Sequence, residues 1–487
     1  MIVLGMELRM KNFIKNEKFK LYIIFAIYLF LSLILLIDHK IWTDEAQAWE
    51  IAKSLSIPQI FAQMKYEAHP TLWYLILAIP AKLGLPVIFM NIISFVITSI
   101  SVYIILFKSN LNFFIKALII FNPTFIYYSS IVSRNYCLVI LFLALFSLVY
   151  NQRFEKPIIY TIIIALMAHT HLIISGFVGI SALIFLFELL RKKDYKHMTI
   201  AFFILLVSFI ILALQLVPAI GNCVFIDSQP FTKETLVSKI FDKSIKISSF
   251  FAMNLNEIQS LLLLLVILVV STIVTFINSK TKGLILFVSI LTIYLIHLAW
   301  PFVLSERTSM IFAIIVFLNL DNYKLFYSLF ITIISILITY SNFKSITDGL
   351  FYHFSDSKNF ASYINSNIED NSLIVFIDID RHMAAIPYII KNLVYYNIDE
   401  EKYNTFTSWR PKNGKMKNIN EIEEKLKSFS KKYKNVYIMY GISSDNDYSR
   451  DRINQLYSRG DIETMLYQTE NDEPSEKFGL YKFKINA

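Results

Sequence analysis

Charge is scarce in this sequence. Asp, Glu, Lys and Arg make up 17% of its 487 residues, where a soluble globular chain carries about 25%. With 56% hydrophobic residues and a mean hydropathy of +0.54, that shortage argues against an ordinary water-soluble fold and points to a membrane protein. Cysteine is nearly absent: Cys137 and Cys223 are the only two, too few for a disulfide framework, and no CxxC or zinc-type spacing occurs. No stretch is Gly/Ser-rich or Pro-rich. No internal repeat recurs at a fixed period, which argues against a solenoid and gives no support to a duplicated transporter.

Aromatics are plentiful, with 42 Phe and 28 Tyr, and the surplus charge is positive. A net charge of +9 and a pI near 9.1 do not imply nucleic acid. The lysines and arginines stand mostly in short clusters between apolar runs, where the positive-inside rule places them. The basic flank Lys11, Lys15, Lys18 and Lys20 precedes the first apolar run, and no small-residue cleavage site follows it. This reads as an uncleaved first transmembrane helix.

A spanning helix needs about 20 apolar residues, somewhat fewer where flanking residues snorkel. Candidate spans are 21–37, 86–107, 112–130, 135–150, 157–171, 173–190, 198–217, 258–278, 283–301, 308–321 and 323–341, about eleven by this criterion. Basic connections ("KSNLNFFIK", "NQRFEKP", "LRKKDYKH", "NSKTKG", "LDNYK") alternate with "DEAQAWE", "VSRNYC", "HTHL", segment 218–257 and "PFVLSERTS". The alternation holds if "TLWYLILAIPAKL" (71–83) lies along the membrane surface, which its short length, its amphipathicity and Pro80 favour. The expected topology is a multi-pass cell-membrane protein with its N-terminus cytoplasmic and its C-terminus outside.

The expected fold is therefore an α-helical polytopic membrane domain over 1–344, with a first outer loop at 38–85, followed by a soluble extracytoplasmic α/β domain over 345–487. In that domain "SLIVFIDID", "NVYIMYG", "MLYQ" and "FGLYKFKI" read as strands and "INEIEEKLKSFSKKY" as an amphipathic helix. In the first outer loop, "TDEAQAWEIAKSL" and "PQIFAQMKYE" read as interfacial helices with Trp42, Trp49 and Phe61 as a floor beneath the headgroups.

Under this topology one face collects the unusual polar groups: Asp44, Glu45, Glu50, Glu67, His69, Arg134, Asn135, His169, His171, Glu306 and Arg307. Ionisable residues at membrane depth are expensive, so their convergence marks a site. The order "DE", "HPTLWYLILAIPAKLG", "SRNYCL", "HTHL", "SERTSM" resembles the GT-C superfamily of membrane glycosyltransferases that use polyprenyl-phosphate sugars. It is most like the protein O-mannosyltransferases and the lipid A aminoarabinose transferase. "HPTL" is similar to their HPPL/KPPL motif and "SRNYCL" to their S-R-x-Y-x-L pattern. The resemblance spans roughly residues 20–340 and is strongest over 38–140.

The resemblance implies a glycosyltransferase with a polyprenyl-phosphate-linked sugar as donor and a protein, lipid or polysaccharide as acceptor. It implies Asp44 as the catalytic base or a metal ligand, supported by Glu45. Arg134 and Arg307 would fork onto the donor phosphate, a geometry arginine suits better than lysine. His69, Tyr136, His169, His171 and Glu306 are the further substrate-binding candidates. Relatives often place a second carboxylate in the second outer loop, where "YYSSIVSRNY" has none and Asn135 stands nearby. A divalent cation is thus a candidate cofactor with few hard oxygen ligands to hold it.

Other readings accompany each residue. Asp44 and Glu45 suit the first turn of a helix N-capped by Thr43, Arg134 a snorkelling interface position, and Arg307 an ion pair with Glu306. His169 and His171 are two apart on a helix end and do not share a face. "DID" at 378–380 imitates a nucleotide-sugar metal motif but follows a strand, where aspartates commonly begin turns. A transporter or flippase and a non-catalytic membrane scaffold are the alternative functions.

Overall fold

The computed structural model describes residues 17–220, 222, 233–251, 256–299, 304–322, 324–351, 355–377, 382–408, 418–442, 448–469 and 476–484. Lys11, Lys15, Cys223 and the "DID" triplet lie outside them. Helix α1 (Glu17–Asp38) leads into a loop that folds as α2 (Thr43–Ser54), α3 (Ile57–Glu67) and α4 (Leu72–Lys82). Then follow α5 (Ile88–Lys108), α6 (Phe113–Ile120), α7 (Tyr136–Tyr150), α8 (Pro157–Ala168), α9 (Ser175–Arg191) and α10 (Tyr195–Leu216). After these come α11 (Lys233–Ser249), α12 (Glu257–Asn278), α13 (Lys280–Ala299), α14 (Ser305–Leu318) and α15 (Leu325–Phe351).

Among the described residues, seven helices are long and apolar enough to cross a membrane: α1, α5, α9, α10, α12, α13 and α15. Several turn large apolar side chains outward, among them Phe30, Phe203, Leu214, Val266 and Phe326. A surface this greasy fits a helical membrane protein whose outer ring faces lipid. The other expected spans are shorter helices. α14 is buried on every side from Arg307 to Leu318, as expected of a helix at the centre of a bundle.

The expected span 112–130 is not continuous. α6 stops at Ile120 and the chain turns through Asn122–Pro123 into a five-residue π-turn, Thr124–Tyr128. Pro123 has no amide hydrogen to continue the helix ladder. Asn122 replaces the missing order: its Oδ1 accepts from the Thr124 amide at 3.1 Å and its Nδ2 donates to the Ser335 carbonyl at 3.3 Å. The unwound chain then runs to Asn135, which opens α7.

The C-terminal part contains α16 (Ser357–Asn367), β1 (Leu373–Phe376), β2 (Val394–Asn397), α17 (Ile419–Ser430), β3 (Val436–Ile442), α18 (Tyr448–Ser458), β4 (Ile462–Gln468) and β5 (Lys477–Phe483). The strands form one sheet in the order β2-β1-β3-β5-β4, with β2, β1 and β3 parallel and β5 antiparallel to its neighbours. Ile422, Leu426, Phe429, Ile453 and Leu456 cover one face. On the other face Ile374, Phe376, Met439 and Leu480 join Phe360 and Met383 in the same core as Trp49 and Ile51 of α2. The sheet is therefore packed onto the loop after α1. Helix α15 runs through the boundary expected at 344, and the α/β part begins beyond it.

Two local expectations change. Trp49 is 2% exposed and belongs to this shared core, so it cannot lie beneath lipid headgroups; Phe61 does stay exposed. The N-cap of α2 is Trp42, not Thr43, and Glu45 accepts from the Trp42 amide at 3.1 Å.

Candidate functional site

The loop before α2 is held by Glu45. Its side chain is fully buried and both oxygens lie 2.9–3.0 Å from Nε2 of His39. It also accepts from the amides of Trp42 and, at 2.7 Å, Ser133. Ser133 lies at the end of the unwound segment after the π-turn. One carboxylate thus brings two distant stretches together, and Asp44, just before Glu45, forms an ion pair with Arg134, just after Ser133. Asp44 stays about one-third exposed while Arg134 is 10% exposed.

Arg134 is flanked by rings, its guanidinium 6.0 Å from the Trp42 centroid and 5.7 Å from that of Tyr136. Its Nη2 lies 3.3 Å from Nε2 of His69. The Nδ1 of His69 is 2.7 Å from the Glu67 carbonyl, so that nitrogen carries the hydrogen and Nε2 presents a lone pair to the arginine. Burial, then the charges of Arg134 and Arg307, push the His69 pKa down to about 3. A neutral ring that accepts from a guanidinium is the consistent state.

His171 packs edge-on against His69 at 5.0 Å and stacks on Tyr136 at 5.1 Å. Its Nδ1 accepts from the Ile173 amide at 3.0 Å, which places the hydrogen on Nε2. That Nε2–H is buried and has no hydrogen-bond partner among the described residues. Leaving such a donor unmet costs about 1–3 kcal/mol. Burial, followed by His69, Arg307 and Arg134, holds His171 well below the usual imidazole range.

Arg307 and Glu306, in the first turn of α14, lie within electrostatic reach of Tyr136, and the Arg307 side chain reaches the Tyr136 phenol. The described structure therefore gathers Asp44, His69, Arg134, Tyr136, His171, Glu306 and Arg307, with Glu45 beneath them. His169 stands apart: its Nε2 meets Ser208 Oγ on α10 at 3.1 Å. Asn135 donates to the Thr170 carbonyl at 2.7 Å, tying the two halves of the site together.

Four contributors escaped sequence reasoning. His297, buried near the end of α13, is close enough to Arg307 and to Lys243 of α11 to feel both charges. A lone histidine inside the apolar run 283–301 was a usable signal. Glu476 accepts from the Thr43 amide at 3.0 Å and the Tyr388 hydroxyl accepts from the Ile41 amide at 3.1 Å; no local signal marks either. Gln47, also on α2, exchanges hydrogen bonds with both backbone groups of Thr407 and donates to Glu67 at 3.0 Å.

Among the described residues no group of three or more His, Cys, Asp or Glu is arranged to hold a metal ion. Asp44 is engaged by Arg134, and Glu45 by His39 and two amides. What the arrangement offers is a buried cluster of guanidinium, phenol and imidazole groups beside a carboxylate that is one-third exposed. No known family model matches the chain, and no curated protein or solved structure matches it.

Proposed function

We propose that the chain is an inverting glycosyltransferase that moves a sugar from a polyprenyl-phosphate carrier to an acceptor hydroxyl at the outer membrane surface. One observation carries the reading: Arg134 is shared between Asp44 and His69, next to the buried, unmet Nε2–H of His171. A phosphate satisfies such donors, and a carboxylate alongside suits a base.

In this mechanism the donor phosphate draws the Arg134 fork away from Asp44, with Arg307, Tyr136 and His171 completing its contacts. The released Asp44 accepts the proton of the acceptor hydroxyl. The acceptor oxygen bonds to the anomeric carbon from the opposite face. The bond from that carbon to the phosphate oxygen breaks, its electron pair leaving with polyprenyl phosphate, whose charge the cations stabilise. Glu45 acts as a positioning residue. The apolar outer ring of helices suits a donor whose tail stays in lipid.

The second reading, a transporter, draws on the unwound segment after α6, since broken helices are what transporters place at their sites. Here, however, that break delivers Ser133 and Arg134 to the loop after α1, which favours the enzyme.

The test is turnover of a polyprenyl-phosphate sugar by full-length protein in nanodiscs, with donor binding measured in parallel. Asp44→Asn is expected to bind donor and lose a factor of about 10²–10⁴ in rate; Arg307→Ala is expected to lose donor affinity as well. Turnover by Asp44→Asn above a tenth of wild type removes Asp44 as the base. Robust turnover of a free nucleotide sugar defeats the whole reading.

A further inference from the structure

A second concave site lies between the helices after α1 and the α/β part. It encloses about 770 Å³, walled on one side by the end of α2 and by α3 and on the other by residues 401–408. Its walls are pinned: Ser54 Oγ meets Thr405 Oγ1 at 3.3 Å, and Gln47 clamps Thr407 at the buried end. The gap is thus part of the fold and not a loose seam.

The lining combines flat rings with amides. Tyr66 and Tyr403 contribute rings, each with a lysine ammonium over one face (Lys65 at 5.0 Å, Lys432 at 5.9 Å), Gln59, Gln63 and Asn404 contribute amides, and Asn404 Oδ1 is buried with no hydrogen-bond partner among the described residues. Lys65 and Lys402 are offset by Glu401, so the rim carries little net charge. Part of the 401–408 backbone that an extended peptide would pair with is already engaged. Both backbone groups of Thr407 are taken by Gln47, those of Lys402 by Asn397, and the Ser408 amide by Glu400. A lipid chain finds no continuous apolar surface. Aromatic faces with amides and hydroxyls around them match the flat apolar faces and ring hydroxyls of a saccharide.

The groove is also wired to the reacting residues. Gln63, in its wall, donates to Glu67 at 3.0 Å. The Glu67 carbonyl holds His69, and His69 meets Arg134 beside Asp44. We propose that this groove binds the acceptor, that the acceptor is a saccharide chain, and that the α/β part supplies half of its binding surface. This rests on the transferase reading for the word acceptor but not for the binding.

The experiment uses full-length protein in nanodiscs free of sugar-headed detergent. Binding of maltohexaose is measured against a hexapeptide of Gly and Ser by calorimetry and saturation-transfer NMR. Saturable maltohexaose binding is expected, weakened at least about fivefold by Tyr403→Ala and by Asn404→Ala and unchanged by Asp44→Asn, each measured well below that variant's own thermal midpoint. Absence of saturable maltohexaose binding, equal affinity for the peptide, or indifference to both groove variants overturns the proposal. Maltohexaose binding without any sugar transfer from a polyprenyl-phosphate donor leaves the groove standing and sinks only the transferase.

Discussion

At the residue scale, Glu67 links the groove to the site through its protonation. Both amide donors, from Gln47 and Gln63, go to Oε1, leaving Oε2 to carry a hydrogen. Burial drives this carboxyl from 4.5 up to about 8, with Gln63 and Gln47 opposing and Asp44 and Glu400 adding to the rise. The folded value exceeds the unfolded one, so unfolding between those values releases a proton. Stability is then greatest below pH 4.5 and falls as pH rises toward 8, by at most about 1.4 kcal/mol per unit, and levels off above. Glu67→Gln keeps the accepting oxygen and cannot ionise. Its thermal midpoint is expected to exceed that of wild type at pH 8 and to match it near pH 5. Parallel thermal scans at the two values check this, and an identical pH dependence in both proteins refutes it.

At the scale of elements, close helix packing sets what can change. A Cβ on Gly283 of α13 would come within 2.6 Å of the backbone Cα of Phe276 on α12, while one on Gly179 of α9 meets nothing within 4 Å. Gly283→Ala forces the α12–α13 hairpin apart at about 1–3 kcal/mol. Gly179→Ala gains about 0.5–1 kcal/mol by restraining the unfolded chain. Opposite shifts of the thermal midpoint are expected, and a Gly283→Ala protein as stable as wild type would show that the hairpin yields freely.

Helices of this kind are legible from apolar length alone, as are β1, β3, β4 and β5 from runs of branched and aromatic residues and α17 from its period. β2, as short as β1 but with one branched residue and a terminal Asn in VYYN, does not stand out, and α16 and α18 are too polar. The break after α6 left a visible trace, the Asn122–Pro123 pair inside an apolar run. Hydropathy averaged it away, because a window long enough to find a span smooths over two residues. The candidate cluster was legible as a set of residue types, most of which the fold brings together. Its wiring was not: which carboxylate is committed and which stays open depends on Ser133, His39 and Arg134 meeting in space.

At the scale of the whole molecule, the α/β part cannot be separated from the loop after α1, because the two share a core and a set of buried hydrogen bonds. Glu476 supplies the anion at the N-terminus of α2, one residue before Asp44. Losing such a cap costs about 0.5–2 kcal/mol of local stability. Glu476→Ala is expected to lower turnover roughly tenfold at unchanged donor affinity, since 1.4 kcal/mol of misplacement corresponds to a factor of ten. Steady-state turnover together with a donor binding isotherm checks it; a loss of affinity with intact turnover contradicts it. The same docking requires residues 44 and 400 to lie on one side of the membrane. Single cysteines at both, in a cysteine-free background, are expected to react with an impermeant reagent in intact cells. Labelling of either only after lysis defeats the outward orientation.

The bond between Thr43 and Glu476 also has a consequence in time. A ribosome making about 5–20 residues per second releases the α2 loop first and its cap, Glu476, 433 residues after Thr43. For roughly 20 to 90 seconds every copy carries its acidic loop in the membrane without the partner that fixes it. Synthesis order alone thus delays the capping of α2, and a copy truncated before Glu476 never acquires that bond.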